Sequence, residues 1–526
     1  MTSSLSQKLA CTLLAVAALL LVAHSLLFNF VTDDAFISFV YSRNLAQHGQ
    51  LVFNLGERVE GYTNFLWTLI LAGLFKVGLQ PEIMSRVLGT ACAIVTFGVC
   101  AFGSRAIRML DGEPRELSPW DALPGLFLAG ISGYACWASG GLETQMFTLF
   151  VMLGMTFYLS DAEVRPRSAL AFGLSALTRP EGVFFFVLTV AHHAPIHLRQ
   201  RRILPTAKEL RWLLMFALLV VPHFLWRRWY YGYWLPNTFY IKASGGAGTW
   251  GQGGYYLSRV VLSYHLWIVP IVCALGLLRK RGRGTSRLYG YALFVVSLFA
   301  LYVASVGGDF MGLYRFVMPV MPLLMLALST GLRGLFARAP TTISSLVIAA
   351  LLCAHLVSGV QLSRAQLAFV GADRGIDSPG FLRLYTADRA AIGKWFGKYA
   401  KPDDSAAVGG AGAQVYYSGI RSLDCFGLSD AHIAHDVKPV SNRPGHQKYA
   451  PLDYQLSWKP TIITSNYYRI EDAPYRPPAR EEAEWRGRGY HFVSVRVDGL
   501  SHPWYTFLKR IDRSLGPLPP LTEREP

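Results

Sequence analysis

The sequence predicts an α-helical polytopic membrane protein with a small α/β domain at its C-terminal end. Three observations carry that prediction. Of 526 residues, 52% are hydrophobic and only 16% charged, with a mean hydropathy of +0.30, too apolar for a soluble domain. Apolar runs near bilayer-spanning length recur from residue 9 to residue 361. The formal net charge of +17 is concentrated in short loops between those runs. Topology is encoded in that way, which argues against nucleic acid as the partner of this basic chain.

The runs cover 9–30, 63–79, 84–104, 121–138, 144–160, 168–178, 183–194, 212–229, 258–278, 288–306, 316–332 and 341–361. The first is long and shows no small-x-small cleavage site before the acids that follow, so it reads as a retained span. Two basic loops set the orientation. "HLRQRRILPTAKELR" holds Arg199, Arg201, Arg202, Lys208 and Arg211, and "RKRGRGTSR" holds Arg279, Lys280, Arg281, Arg283 and Arg287. Both belong inside. Counting from them puts Arg105, Arg108, Arg115, Arg165, Arg167, Arg333 and Arg338 inside too. With the N-terminus inside, an odd number of crossings must separate residues 31 and 105, yet two apolar runs lie between. The shorter, 63–79, carries Lys76 and is expected to be a juxtamembrane helix at the outer interface. About eleven spans result, with the N-terminus cytoplasmic and the C-terminal part extracytoplasmic. The membrane domain is 1–361, with 31–83 as its first outer loop. Six of the seven cysteines fall in apolar runs and all read as buried small hydrophobes.

The outer loops then carry an acid or a base beside Gly, Pro or aromatic residues, as in "SGGLETQ", "TRPEG" and "GGDFMGLYR". Charges gathered at one face of a bundle suggest a site there. The first outer loop opens with the acid pair Asp33 and Asp34 of "TDDAFISF". Thr32 or Asp33 could cap a helix through Phe36, Phe39 and Tyr41, with Asp34 favouring its dipole. A cap explains one acid, but not two, nor Arg43 and His48 beyond them. A carboxylate here can also be a general base tuned by burial, and two could share a divalent cation.

The outer bases are Arg58, Arg179, Lys242 and Arg315. Arginine forks onto phosphate oxygens and lysine acts as a point charge. Each also has an ordinary reading, as a lipid-headgroup contact or an ion pair with Glu181 or Asp309. Together, opposite an acid pair, they fit a lipid-phosphate leaving group facing a general base. Glu143 and Asp309, with Asn237 and Tyr240 of "LPNTFYIKAS", are candidates for hydrogen bonds to sugar hydroxyls.

Residues 362–515 read as the α/β domain, and the Pro-rich end 516–526 as a disordered tail. A helical period covers 386–400, buried strands are expected at 405–410 and 460–465, and "YHFVSVRV" alternates like a half-buried strand. "GGAGAQVYYSG" departs from the dinucleotide fingerprint and reads as a tight strand-to-helix turn.

"TDDAFISF" and "SALTRPEG" resemble the GT-C superfamily of integral-membrane glycosyltransferases. "GYTNFLW", "GGLETQMF", "LPNTFYIKAS", "GGDFMGLYRFVMPVMPLL" and "LDCFGLSDAHIAH" narrow the resemblance to the bacterial group of terminal β-(1→2) arabinofuranosyltransferases. The resemblance implies a bacterial inner-membrane enzyme. It implies a polyprenyl-phosphate sugar donor such as decaprenyl-phosphoryl arabinofuranose, a cell-envelope glycan acceptor in arabinan and cell-wall biogenesis, and transfer with inversion. It maps the catalytic acid onto Asp33 or Asp34, with Asp33 slightly favoured, and the basic residue after the short outward helix onto Arg179. Rival readings are the same scaffold transferring another pentose or hexose to lipopolysaccharide or protein, a lipid-linked glycan flippase, and a non-catalytic assembly partner. A transporter should show internal repeats and polar residues at mid-membrane depth, and neither is evident.

Overall fold

The first apolar run forms the helix Ser3–Leu26, about 36 Å long at 1.5 Å per residue and so able to cross a bilayer. The computed structural model describes residues 3–199, 204–242, 247–280, 282–441 and 447–515. Arg201, Arg202, Arg281 and the expected tail 516–526 lie outside the described residues. Six described helices are long and apolar enough to cross a membrane: Leu5–Leu26, Pro81–Leu110, Ala207–Tyr231, Arg283–Ser305, Arg315–Leu335 and Thr341–Ala368. Two bent pairs raise the number to eight: Pro119–Gly130 with Ser132–Ser139 at 75°, and Gly248–Ser263 with Ile268–Arg279 at 60°. The expected eleven would need Thr144–Ser160, Pro166–Thr178 and Glu181–Arg199 to cross as well.

The first bend falls at Ile131, whose extended backbone interrupts the helix. Gly133 follows, where a Cβ would lie 2.2 Å from the Leu313 carbonyl oxygen, and Trp137 Nε1 donates to the Gly312 carbonyl at 3.1 Å. Close backbone approach at Gly133 thus locks the bend against the loop after Arg283–Ser305.

Charged contacts sort the loops into two sets that do not mix in the contacts below. In one, Arg108 pairs with Asp121 at 2.7 Å, Arg333 with Asp111 at 3.0 Å, Lys280 with Glu113, and Arg287 Nη1 donates to the Asp161 carbonyl at 2.7 Å. These are loops the charge rule groups together. In the other, Asn64 meets Glu143, Glu143 meets Arg179, and Glu60 meets Arg227. The run 63–79 becomes Phe65–Lys76, twelve residues and about 18 Å long, too short to span. A topology reporter fused beside Lys76 is expected to read on the same side as one fused after residue 368. A reading on the opposite side would overturn the eleven-span scheme.

After Thr341–Ala368 comes a hairpin of β1 (Ala372–Asp373) and β2 (Ile376–Asp377), tied to the membrane domain where Asp377 N–H donates to the Phe310 carbonyl. The helix Pro379–Tyr399 leads into a six-stranded sheet. Its strands are β3 (Ser405–Val408), β4 (Arg421–Asp424), β5 (Ile462–Thr464), β6 (Arg469–Glu471), β7 (Tyr490–Arg496) and β8 (Trp504–Arg510). β3 lies inside the edge strand β4, parallel to β4 on one side and to β5 on the other. β8 runs antiparallel to β5, β6 and β7. β3 and β5 are apolar and buried on both faces, as parallel strands are. β7 was expected to be half-buried but is covered on both faces, save Arg496, with the helix Ala479–Gly487 packed against it. All seven cysteines are free thiols, but Cys11 and Cys353 are exposed on the faces of apolar helices rather than buried as expected.

Candidate active site

The helix Asp33–His48 follows the first span and is buried along much of its length, with Gly49 at φ 69° closing it. Thr32 takes the cap position, but its side chain makes no capping hydrogen bond. Asp33 does not cap the helix either. It reaches across to the C-terminal lobe, where its Oδ1 accepts the Ala413 N–H at 2.8 Å and its Oδ2 the Gly412 N–H at 3.3 Å. A Cβ on Gly412 would sit 2.0 Å from the Asp33 carbonyl oxygen, so only glycine permits this approach. Arg43, ten residues on, donates to the Tyr416 carbonyl at 2.6 Å. The helix Asp33–His48 is therefore the seat of the lobe.

Between them lies a cavity of about 240 Å³ lined by Asp33, Asp34, Tyr385, Arg389, Asp424 and Tyr468, among others. Burial pushes the Asp33 carboxyl up, against the Ala413 hydrogen bond and the Arg389 charge. Asp34 is the more exposed of the pair. It shares a helix face with Ser38, one turn on, whose hydroxyl donates to Asn64 Oδ1 at 3.1 Å. Arg389 is 2% exposed, with its guanidinium 4.8 Å from the Tyr385 ring and 4.1 Å from that of Tyr468. Burial works against its charge, but the tyrosines and Asp33 outweigh this and hold it charged.

Burial pushes Asp424 up to about 6, though its oxygens accept the Phe426 and Ser429 N–H groups at 3.0 Å. Its unfolded value is about 3.9, so across the window between about 4 and 6 the folded lobe holds a proton that the unfolded chain has lost. This contribution to stability is present below the window and is lost as pH rises through about 6. The melting temperature is expected to fall from pH 4 to pH 7, and Asp424→Asn to flatten that fall. Burial also raises Asp33 and Asp430, so some slope should remain.

On the membrane side, Arg179 forks onto Glu181 at 2.9 and 3.2 Å and reaches Glu143 at 2.5 Å. Asn64 donates to the other Glu143 oxygen at 2.8 Å. Arg315 pairs with Asp309 at 2.9 Å, and its charge also acts on Glu143. The ordinary ion-pair readings of both arginines are thus realised. Arg179 and Arg315 share a small cleft walled by Phe147, Phe299 and Phe316.

The other expected residues lie elsewhere. Arg58 is exposed, over the Tyr230 ring at 4.8 Å. Asn237 Nδ2 donates to the carbonyls of Gly427, Leu428 and Asp430 at 2.8–3.1 Å, and Tyr240 packs on His435 at 4.3 Å. Both dock the lobe and neither lines the cavity. Lys242 ends the helix Asn237–Lys242, and its side chain lies outside the described residues. Among the described residues no third His, Cys, Asp or Glu joins Asp33 and Asp34 in a metal-binding group. Arg389, Tyr385, Tyr468 and Asp424 were missed by sequence reasoning. A signal for the strand-end positions existed in the buried strands 405–410 and 460–465, because ligands gather at the carboxyl ends of parallel strands.

A family model described as a domain of unknown function (DUF8728) matches residues 382–508, most of the lobe. The terminal beta-(1->2)-arabinofuranosyltransferase of Mycobacterium tuberculosis (strain H37Rv) is 28% identical over 276 residues, covering 48% of this chain and 42% of that protein. Its namesake from Corynebacterium glutamicum is 26% identical over 353 residues, covering 56% and 47%. The chain thus spans less than half the length of these relatives. ArnT from Cupriavidus metallidurans, solved bound to undecaprenyl phosphate, superposes with a TM-score of 0.52 at 15% identity, covering 79% of this chain and 85% of that one. Apo ArnT superposes with a TM-score of 0.55 at 14% identity, covering 95% and 98%. This chain accordingly has the GT-C type fold of ArnT and resembles in sequence the group of the mycobacterial terminal β-(1→2)-arabinofuranosyltransferase.

Proposed function

We propose that the protein is an inverting glycosyltransferase that moves a sugar, arabinofuranose as the first choice, from a polyprenyl-phosphate donor to a hydroxyl of a cell-envelope glycan. Transfer takes place on the outer face of the bacterial inner membrane. The observation that carries this reading is the adjacent acid pair lining a cavity between a GT-C membrane domain and an overlying lobe. Relatives named for arabinofuranosyl transfer and a structural neighbour bound to undecaprenyl phosphate support the donor class.

Asp33 is committed to the lobe, so the slight preference for it as base passes to Asp34. Asp34 takes the proton of the acceptor hydroxyl as that oxygen attacks the anomeric carbon. The bond from that carbon to the phosphate oxygen breaks on the opposite face, and its electron pair leaves with the polyprenyl phosphate. Asp34 then returns the proton to solvent. Arg179 and Arg315 stabilise the departing charge from the membrane side.

The test is turnover by the purified full chain in nanodiscs, given decaprenyl-phosphoryl arabinofuranose and an arabino-oligosaccharide. Glycosidic product of inverted configuration is expected. Turnover only with another polyprenyl-phosphate pentose or hexose would change the sugar, and none with any such donor would overturn the reading.

A further inference from the structure

The lobe has a topological reversal at β3. From there the chain crosses to β4 on one side and then returns past β3 to β5 on the other. In open parallel sheets, such a reversal leaves a crevice at the carboxyl ends of the two strands, where ligands bind. Here those ends are Gly409–Gly410 after β3 and Ser465–Asn466 after β5, and both pairs line the cavity that holds the acid pair. Side chains on the glycines would fill the crevice. A Cβ on Gly410 would meet the Tyr385 hydroxyl at 2.6 Å, and one on Gly409 the Ser465 carbonyl at 3.2 Å.

Charge decides what the crevice takes. Among the described residues, Asp33, Asp34, Asp377 and Asp424 line it against one cation, Arg389. A phosphate group would be repelled there, whereas a neutral, hydroxyl-rich ligand would not. The wall also offers hydrogen bonds and ring faces. Asn466 is exposed and its amide makes no hydrogen bond among the described residues, and Tyr468, two residues on, presents a half-buried ring. Ser465 is held in place by its own bond to Gln455 at 2.9 Å, which fixes the start of this wall. At about 30 Å³ per water, the cavity has room for roughly eight waters, or one sugar ring with its hydroxyls.

We propose that the carboxyl edge of β3 and β5, with Asn466 and Tyr468, is the acceptor subsite, and that it holds the neutral sugar terminus of the glycan opposite Asp34. This rests on the transferase reading. It gives the C-terminal lobe the task of selecting the acceptor, while the donor phosphate stays on the membrane side.

The test uses the full chain in nanodiscs and a lipid-free arabino-oligosaccharide as the probe. Without donor, saturation-transfer NMR should show the oligosaccharide bound, and saturating undecaprenyl phosphate should not displace it. Asn466→Ala, at an exposed position with no internal bond to lose, should raise the acceptor KM roughly five- to tenfold, as loss of one hydrogen bond would, with the donor KM unchanged. Tyr468→Ala should raise the acceptor KM further. The subsite is overturned if both variants leave the NMR signal and acceptor KM at wild-type values, if the donor KM shifts instead, or if undecaprenyl phosphate displaces the probe. Wild-type protein that binds the probe but transfers nothing would instead overturn the transferase reading and leave the subsite standing.

Discussion

Asp34→Asn lowers kcat by a factor of about 10² to 10⁴, the usual range for losing a general base. Asp33→Asn gives a different phenotype, and the contrast separates the two acids. The Asp33 carboxylate accepts two backbone N–H groups, those of Gly412 and Ala413. An asparagine can accept only one of them and sets its own NH₂ against the other. Hydrogen bonds to a charged group contribute about 1.5–3 kcal/mol each, so Asp33→Asn should lower the melting temperature as well as activity. Gly412→Ala should copy the Asp33 phenotype without touching a carboxylate, because its Cβ would collide with the Asp33 backbone. Transfer assays paired with melting curves in one detergent check all three. Asp34→Asn with near wild-type kcat, beside an inactive but fully stable Asp33→Asn, would return the base to Asp33.

The acid pair was legible in the sequence because two carboxylates directly after an apolar run violate an easy rule. Arg179 and Arg315 were legible for the same reason, and so were their ordinary partners Glu181 and Asp309, which are near in sequence. Arg389 was not. It lies in the amphipathic helix Pro379–Tyr399, where an arginine reads as solvent-facing, and only the packing of that helix against Asp33–His48 turns it inward. Asn237 and Tyr240 read as sugar ligands because the loop they dock lies about 190 residues further along the chain. The strands β4 and β6 are four and three residues long, too short to show a period. Pairing with remote neighbours makes them strands, and remote pairing leaves no local trace.

Arg179→Met should cost about 3–5 kcal/mol of stability, the usual penalty for breaking a buried ion pair from one side. Glu143 is 2% exposed, and without Arg179 it keeps the Asn64 bond, a hydrogen bond from its own backbone N–H and the more distant charge of Arg315. Glu143→Gln should cost less, because Arg179 retains its fork on Glu181. The double variant should then lie well below the sum, since removing Glu143 removes its share of the penalty that Arg179→Met exposes, while Glu181 loses its fork either way. Melting curves of the four proteins close this cycle, and additive losses would mean that the pair is not coupled. The network also touches catalysis. Glu143 holds Asn64, and Asn64 accepts from Ser38, one helical turn beyond Asp34. Glu143→Gln leaves Asn64 a weaker acceptor for its amide, and a displacement of the base by ~1 Å costs about 10²-fold in rate. Glu143→Gln should therefore lower kcat by more than its modest stability loss suggests. Glu181→Gln, which touches Arg179 but not Asn64, should leave the orientation of Asp34 intact and spare kcat by comparison.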